Sequence, residues 1–158
     1  MKVYHGSNTI VEKPELRPHN RFLDFGDGFY TTSNKKQAEI FANIVVRRRG
    51  GERIVNIFDF NETESHKLNV LRFETADNVW LDFISQNRNG LYRGEQYDIV
   101  CGPVANDRVY QIILLYNDGI LSVDETLTRL KVFQLYNQIV FKSEHALSLL
   151  CCAGFESF

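Results

Sequence analysis

The sequence predicts an α+β fold in one domain that spans residues 1–158. Short stretches rich in β-branched and aromatic residues are interspersed with segments that have helix caps and apolar residues at helical spacing. The chain has 158 residues, which is enough to bury the core of a single domain. Twelve Phe and seven Tyr also suit a packed domain that contains a sheet. The order of strands and helices is not the regular alternation of a βαβ protein.

Strands are predicted where such stretches are bounded by turn residues. The predicted strands are residues 2–5, 53–60, 67–73, 97–105 and 137–141, with 151–158 as a last edge strand. The segment Gly6-Ser7-Asn8 is expected to turn after the first strand. Residues 9–23 are polar and read as a loop, in which His19 and Arg21 are candidate ligand contacts.

Helices are predicted where a capping residue precedes an amphipathic segment. The first helix begins near Asn34, whose spacing to Gln37 suits a capping box, and ends about Arg49, before two glycines. Its expected apolar face consists of Ala38, Phe41, Ala42 and Val45. Later helices are expected to begin at Thr75 or Asp77, at Asn106, at Ser122 and at Ser143.

Charge and cysteine content limit the class of protein. The net charge of −2 argues against a broad nucleic-acid or membrane surface. Cys101, Cys151 and Cys152 have neither disulfide-framework nor metal-ligand spacing, so we expect a reduced, cytoplasmic protein with no metal. Residues 1–5 run straight into a predicted strand, so no signal peptide is expected, and no apolar run approaches the length of a membrane span.

The stretch DFGDGFYTTSNKKQAEIFA, residues 24–42, carries the strongest functional signal. Gly26 and Gly28 flank Asp27, and glycines allow a tight turn or a close approach of the backbone to a ligand. Phe29 and Tyr30 follow and offer flat surfaces on which a ring can lie. The alternative interpretation is a tight turn followed by an ordinary core helix.

Two further segments complete a pattern. The first strand ends in Tyr4-His5-Gly6-Ser7, and the strand 137–141 reads NQIVF. His5 lies where a strand gives way to a loop, although a histidine there can simply be hydrogen-bonded to backbone. P-loop, zinc, GxSxG and GxGxxG motifs are absent from the sequence.

The three segments, in this order, resemble the catalytic core of the ADP-ribosyltransferase superfamily, in the branch with a His-Tyr-Glu triad. Poly(ADP-ribose) polymerases and diphtheria toxin belong to that branch. The chain from Tyr4 to about Leu150 also resembles a small bacterial family, domain of unknown function 3990, which is often assigned to this superfamily. The resemblance implies a split β-sandwich with peripheral helices, and NAD as the substrate.

The resemblance also implies roles for individual residues. His5, Tyr30 and Gln138 occupy the triad positions. The backbone of Gly6 would bind the nicotinamide carboxamide, His5 would bind the adenosine ribose, and the nicotinamide ring would lie between Tyr30 and Phe41. The NAD-binding set implied by the resemblance is His5, Gly6, Ser7, Phe29, Tyr30, Thr31 and Phe41.

Gln138 stands where this branch has glutamate. An amide oxygen still accepts a hydrogen bond from a ribose hydroxyl, but it brings no negative charge to an oxocarbenium-like transition state. Losing such a contact costs about 3–4 kcal/mol, or on the order of 10²–10³ in rate. A carboxylate from Glu144, Asp24 or Asp27 is a candidate substitute, and the sequence does not choose among them. Gln138 can also be an ordinary strand residue that bonds to neighbouring backbone.

These features lead to an expected function and two alternatives. The first is a mono-ADP-ribosyltransferase, a bacterial toxin or effector that modifies a protein acceptor and has a neutralising antitoxin partner. The second, favoured by Gln138, is a catalytically weak or inactive domain that binds NAD or ADP-ribose. The third is ADP-ribosylation of nucleic acid, against which the near-neutral charge argues.

Overall fold

The computed structural model describes residues 1–18, 22–133 and 135–158. The predicted α+β class is confirmed. The strands are β1 (Lys2–Ser7), β2 (Phe29–Thr32), β3 (Ile54–Phe60), β4 (Val70–Arg72), β5 (Ile99–Pro103), β6 (Asn137–Phe141) and β7 (Leu150–Ser157). The helices are α1 (Lys35–Arg49), α2 (Asn78–Arg88), α3 (Asp107–Asn117), α4 (Val123–Leu130) and α5 (Glu144–Leu147), with a 3₁₀ helix at Thr63–Lys67.

The seven strands form one open, mixed sheet in the order β4-β5-β6-β2-β1-β3-β7. Only β4 and β5 are parallel to each other; the remaining neighbours in this sheet are antiparallel. The predicted edge position of the last strand is confirmed, because β7 pairs with β3 at one end of the sheet. The sheet therefore places β1, β2 and β6 side by side at its centre.

The centre of the sheet is weakly joined. Strand β1 pairs with β3 along its whole length, from Lys2 opposite Asp59 to Ser7 opposite Ile54. Between β1 and β2, both of which are fully described, the register consists of the single pair Tyr4 and Thr32. The two strands thus diverge after Tyr4, and we call this divergence between residues 5–7 and 29–31 the seam.

Apolar side chains pack on both faces of the sheet, as alternation along a strand requires. One cluster includes Val100 and Val140 of the sheet with Trp80 and Ile84 of α2. The other cluster lies on the opposite face and includes Phe29, Phe58, Phe141 and Val3. Tyr30 packs against the first cluster and Phe29 belongs to the second, so their side chains lie on opposite faces of the sheet.

Several predicted helix starts are confirmed by their caps. Asp77, Asn106 and Ser143 each accept a hydrogen bond from the backbone N–H three residues later. Ser122 forms a complete capping box with Glu125. Asn34 caps α1, but the Gln37 side chain accepts from the Thr32 hydroxyl instead of the Asn34 backbone.

Other boundaries differ from the prediction. Gly6 and Ser7 do not turn but continue β1, because β3 pairs with them. The strand predicted at 67–73 is confined to Val70–Arg72, since the preceding residues form the 3₁₀ helix. In α1, Ala38 and Ala42 are buried as predicted, whereas Phe41 is 42% exposed.

None of the described helices is both long and apolar enough to cross a membrane. Cys101 is buried in β5, as predicted, and Cys151 and Cys152 are exposed on β7; all are free thiols. Burial raises the pKa of the Cys101 thiol to about 11, so this cysteine behaves as a small apolar residue.

Candidate functional site at the central seam

His5 lies at the seam and spans it with its side chain. Its Nδ1 is 2.8 Å from the backbone oxygen of Tyr30, and its ring centroid is 4.5 Å from that of Phe29. A carbonyl oxygen only accepts, so Nδ1 carries the hydrogen and donates. Burial lowers the pKa of His5, and the bond to Tyr30 opposes this in part. The imidazole is therefore neutral near pH 7, with Nε2 as a hydrogen-bond acceptor.

The His5 side chain adds a hydrogen bond across the seam, where the register between β1 and β2 has no pair beyond Tyr4 and Thr32. Beyond the Tyr4–Thr32 pair, the Tyr30 carbonyl receives its hydrogen from an imidazole. The alternative interpretation, in which His5 is hydrogen-bonded to backbone, is therefore correct for Nδ1. The other nitrogen is the one that can bind a ligand hydroxyl.

Tyr30 is anchored to the glycine turn that precedes it. Its hydroxyl donates to the Gly26 oxygen at 2.6 Å and accepts from the Phe25 N–H at 3.1 Å. Burial, with the negative charge of Asp24, raises the pKa of Tyr30, so the hydroxyl stays protonated. Sequence reasoning predicted an aromatic surface here, but it missed that the same ring holds the turn together.

Gly6 is required by packing against α1. A Cβ atom at this position would lie 2.0 Å from the Ala38 backbone oxygen and 2.8 Å from the Ala42 nitrogen. The helix therefore covers the side-chain face of Gly6. Its backbone remains in β1 at the seam, which is the part that the resemblance assigns to carboxamide binding.

Among the other residues of the predicted NAD-binding set, Ser7 and Thr31 are buried and hydrogen-bonded within the fold, whereas Phe41 is exposed. Ser7 is buried, and its hydroxyl accepts from the Thr9 N–H at 3.2 Å, which starts the loop after β1. The Thr31 hydroxyl donates to the Ile139 oxygen at 2.8 Å and ties β2 to β6. Phe41 lies on α1 with its ring partly in solvent, so it is available to a ligand.

Gln138 is buried on β6, beside β2 and opposite Thr32 in the register. Its Nε2 is 3.3 Å from Oδ2 of Asp24. The interpretation of Gln138 as a strand residue that bonds only to backbone is therefore incomplete, because its amide contacts a carboxylate. Of the carboxylates considered as substitutes, Asp24 is the one that contacts Gln138 in the structure.

Asp24 is only 5% exposed and is held by charge as well as by hydrogen bonds. Arg88 of α2 donates from Nε to Oδ1 at 2.5 Å, and the Ala105 N–H donates to Oδ2 at 3.1 Å. The Arg88 guanidinium also lies 4.0 Å from the centre of the Tyr110 ring. This buried ion pair neutralises Asp24. Glu144 and Asp27, the other candidate carboxylates, are exposed.

Lys142 secures the glycine turn from the end of β6. Its ammonium donates to the backbone oxygens of Phe25 and Asp27 at 2.5 and 2.6 Å. Burial lowers its pKa to about 8. A shallow depression of about 240 Å³ lies beside the turn. Its lining residues are Leu16, Arg17, Pro18, Asp27, Gly28 and Lys142.

Sequence reasoning missed Asn56, which shapes the loop after β1. This buried side chain on β3 accepts from the Val11 N–H at 2.7 Å and donates to the Thr9 oxygen at 3.2 Å. The available signal was an asparagine inside the largely apolar strand IVNIFDF, residues 54–60. His19 and Arg21, the predicted ligand contacts in this loop, lie outside the described residues.

The arrangement supplies hydrogen-bonding groups and aromatic surface. Within the described ranges, no group of three or more His, Cys, Asp or Glu side chains is arranged to hold a metal ion. Gln138 provides an amide fixed by Asp24, and Tyr30 provides a ring held in one position on the same face of the sheet. His5 provides an acceptor nitrogen on the opposite face, beside Phe29, so a ligand that meets all three must cross the sheet at the seam. Such a set suits a ligand with hydroxyl groups and a flat ring.

Comparison with known proteins places the chain in a family. Searches of curated proteins and of solved structures find no significant match. The family model described as "Protein of unknown function (DUF3990)" matches residues 1–151, nearly the whole chain. The chain therefore belongs to the DUF3990 family.

Proposed function

We propose that this protein is an NAD-dependent mono-ADP-ribosyltransferase whose substrate site is the seam. The observation that carries the proposal is the position of the three sequence motifs. They lie 25 and more residues apart in sequence, yet their strands β1, β2 and β6 are adjacent in the sheet. The pairing of β1 with β2 through a single register pair, within one continuous sheet, supports the finer fold proposal, an ADP-ribosyltransferase-like split β-sandwich with peripheral helices.

In the proposed reaction, NAD binds with its nicotinamide ring beside Tyr30 and Phe41. The bond between C1′ of the ribose and the ring nitrogen breaks, and its electron pair leaves with neutral nicotinamide. A nucleophile of the acceptor, or water, forms the new bond to C1′ and releases its proton to solvent. No oxidant or metal is needed for this step.

In this proposal, the protein orients the ribose relative to the leaving ring and stabilises the charge that develops on the sugar. His5 Nε2 accepts from a ribose hydroxyl, which fixes the sugar relative to the leaving ring. The carbonyl dipole of Gln138 stabilises developing positive charge less than a carboxylate does. We therefore expect slow turnover and transfer of single ADP-ribose units to a protein acceptor. The neutralising antitoxin partner stays part of this proposal, as does a cytoplasmic location.

A second candidate is a domain that binds NAD or ADP-ribose without turnover. The observation that favours it is the neutralisation of Asp24 by Arg88, which leaves Gln138 without an uncompensated negative charge beside it. Modification of nucleic acid is a weaker candidate, because the net charge is −2.

The test incubates purified protein with NAD labelled on the adenylate part and a bacterial lysate, and it also measures free nicotinamide. His5→Ala removes the acceptor nitrogen, and His66→Ala is the matched control because His66 is exposed on the 3₁₀ helix. We expect label on a discrete protein, lost with His5→Ala and retained with His66→Ala. Unlabelled protein and no nicotinamide, with NAD still bound, would favour the binding domain. Absence of NAD binding would refute both.

A further inference from the structure

The amide of Gln138 has a defined direction because of what surrounds Asp24. A carboxylate accepts hydrogen bonds and donates none. Asp24 accepts three from separate parts of the chain: from Arg88 Nε, from the Ala105 N–H and from Gln138 Nε2. The nitrogen of the Gln138 amide must therefore face Asp24, and its carbonyl oxygen lies on the other edge of the amide.

We infer that Asp24 is a positioning residue: it fixes the Gln138 amide so that this side chain acts as an oriented hydrogen-bond acceptor, and it makes glutamine rather than glutamate the matched residue at position 138. The role of that acceptor in binding ribose rests on the proposed function. The pairing of Asp24 with Gln138 rests on the geometry alone. Gln138 and Asp24 thus form a pair, and glutamine at position 138 does more than remove the charge of a glutamate.

A glutamate at position 138 would place a second carboxylate about 3 Å from Asp24 in a buried site. Like charges at such a separation cannot both ionise without cost, and one of the two protons is retained to higher pH. Among the described residues, the charged or titratable side chains around this point are Asp24, Arg88 and the Tyr30 hydroxyl, with Tyr110 stacked on Arg88 and the exposed Asp27 acting on Tyr30 from the glycine turn. The single Arg88 cation can neutralise only one of the two carboxylates.

The test is a double-mutant cycle of wild type, Gln138→Glu, Asp24→Asn and the double variant, followed by urea unfolding from about pH 5 to about pH 8. Gln138→Met serves as control, because it loses the same hydrogen bond without adding a charge. If the pKa of the introduced glutamate is higher in the folded protein than in the unfolded chain, the folded state binds more protons. The free energy of unfolding then decreases as the pH rises. The unfolding constant of Gln138→Glu, relative to wild type, should rise about tenfold for each unit by which that pKa is raised.

We expect this pH-dependent loss in Gln138→Glu, a pH-independent loss in Gln138→Met, and removal of the pH dependence in the double variant. The inference is overturned if Gln138→Glu follows wild type at every pH, or if its pH dependence persists when Asp24 is replaced. Should Asp24→Asn fail to fold, Asp24→Ala takes its place in the cycle, because only removal of the Asp24 carboxylate separates its repulsion from the desolvation of a buried glutamate.

A second readout connects the pair to the reaction. Nicotinamide release by Gln138→Glu should rise with pH as the introduced acid ionises, whereas release by the double variant should be faster at pH 7 and nearly flat. The opposite order of rates would overturn the inference. If none of these variants or wild type binds NAD, the proposed function fails, while the unfolding cycle continues to decide the pairing of Asp24 with Gln138.

Discussion

His5 shows how one side chain can serve both the fold and a ligand. Its Nδ1 donates to the Tyr30 carbonyl across the seam, and its ring contacts Phe29. These contacts fix the ring and its tautomer, so that Nε2 is presented as an acceptor. A histidine bound to backbone and a histidine that binds substrate are therefore compatible roles for this residue.

The protonation of His5 gives a pH-dependent prediction. Its folded pKa is lowered from the ordinary value of 6.5, so the unfolded chain takes up the proton at a higher pH than the folded protein does. Stability should therefore fall as pH drops below about 6.5. His5→Gln keeps an N–H donor for the Tyr30 carbonyl but cannot titrate, and it should lose less stability on acidification than wild type.

Urea midpoints measured at about pH 7.5 and about pH 5 provide the comparison. His66→Gln, at an exposed position, should behave as wild type does. Equal losses of stability in wild type and His5→Gln would show that burial of His5 is not coupled to protonation.

Tyr30 allows its structural and ligand roles to be separated. Tyr30→Phe keeps the ring but removes the hydroxyl that binds Phe25 N–H and Gly26 oxygen, so it should destabilise the fold by about 1–3 kcal/mol. NAD affinity of the folded Tyr30→Phe protein should stay close to that of wild type, whereas Tyr30→Ala should lose it. Calorimetry and urea unfolding of both variants provide the measurement. Intact NAD binding by folded Tyr30→Ala would exclude the ring from the site.

At the scale of elements, the close packing of α1 on β1 depends on Gly6. The backbone of the helix at Ala38 occupies the space of a Cβ atom at Gly6, so no other residue type fits without moving α1. The same helix carries Phe41 and is capped by Asn34, two residues after the end of β2. One glycine therefore sets the distance between the strand of His5 and the helix of Phe41.

Gly6→Ala should destabilise the protein by about 1–3 kcal/mol, the usual cost of overpacking, and should weaken NAD binding by displacing α1 from β1. Gly94→Ala is the control, because the atoms that its Cβ would meet belong to the Tyr92 side chain, which can move. Thermal unfolding of both variants measures the difference. A Gly6→Ala protein as stable as Gly94→Ala would contradict the packing described for this strand.

The sequence predicts best those elements whose boundaries depend on interactions between residues close together in the chain. Caps such as Ser122 with Glu125 act over three residues, and the sequence therefore predicted the helix starts. The extension of β1 through Gly6 and Ser7 depends on pairing with β3, about 50 residues away, and local turn signals were misleading there. The short β4 was overestimated because the 3₁₀ helix before it has no strong sequence signal.

At the scale of the whole molecule, the motifs predicted which strands meet but not how their side chains are held. The resemblance selected segments that fold into β1, β2 and β6, which are adjacent in the sheet. It could not show that Asp24 contacts Gln138, since the two residues are 114 apart in sequence. Nor could it show that the Tyr30 hydroxyl and Lys142 both bind the glycine turn.

The central claim is that NAD binds at the seam between β1 and β2, and hydrogen exchange with and without saturating NAD tests it most directly. Exchange reports the protection of individual backbone segments, so it locates a ligand without requiring turnover. We predict slower exchange at His5–Ser7, Phe29–Thr32 and Asn137–Phe141, with β7 unchanged. Unchanged exchange at all three segments, or protection confined to other parts of the chain, would contradict the account.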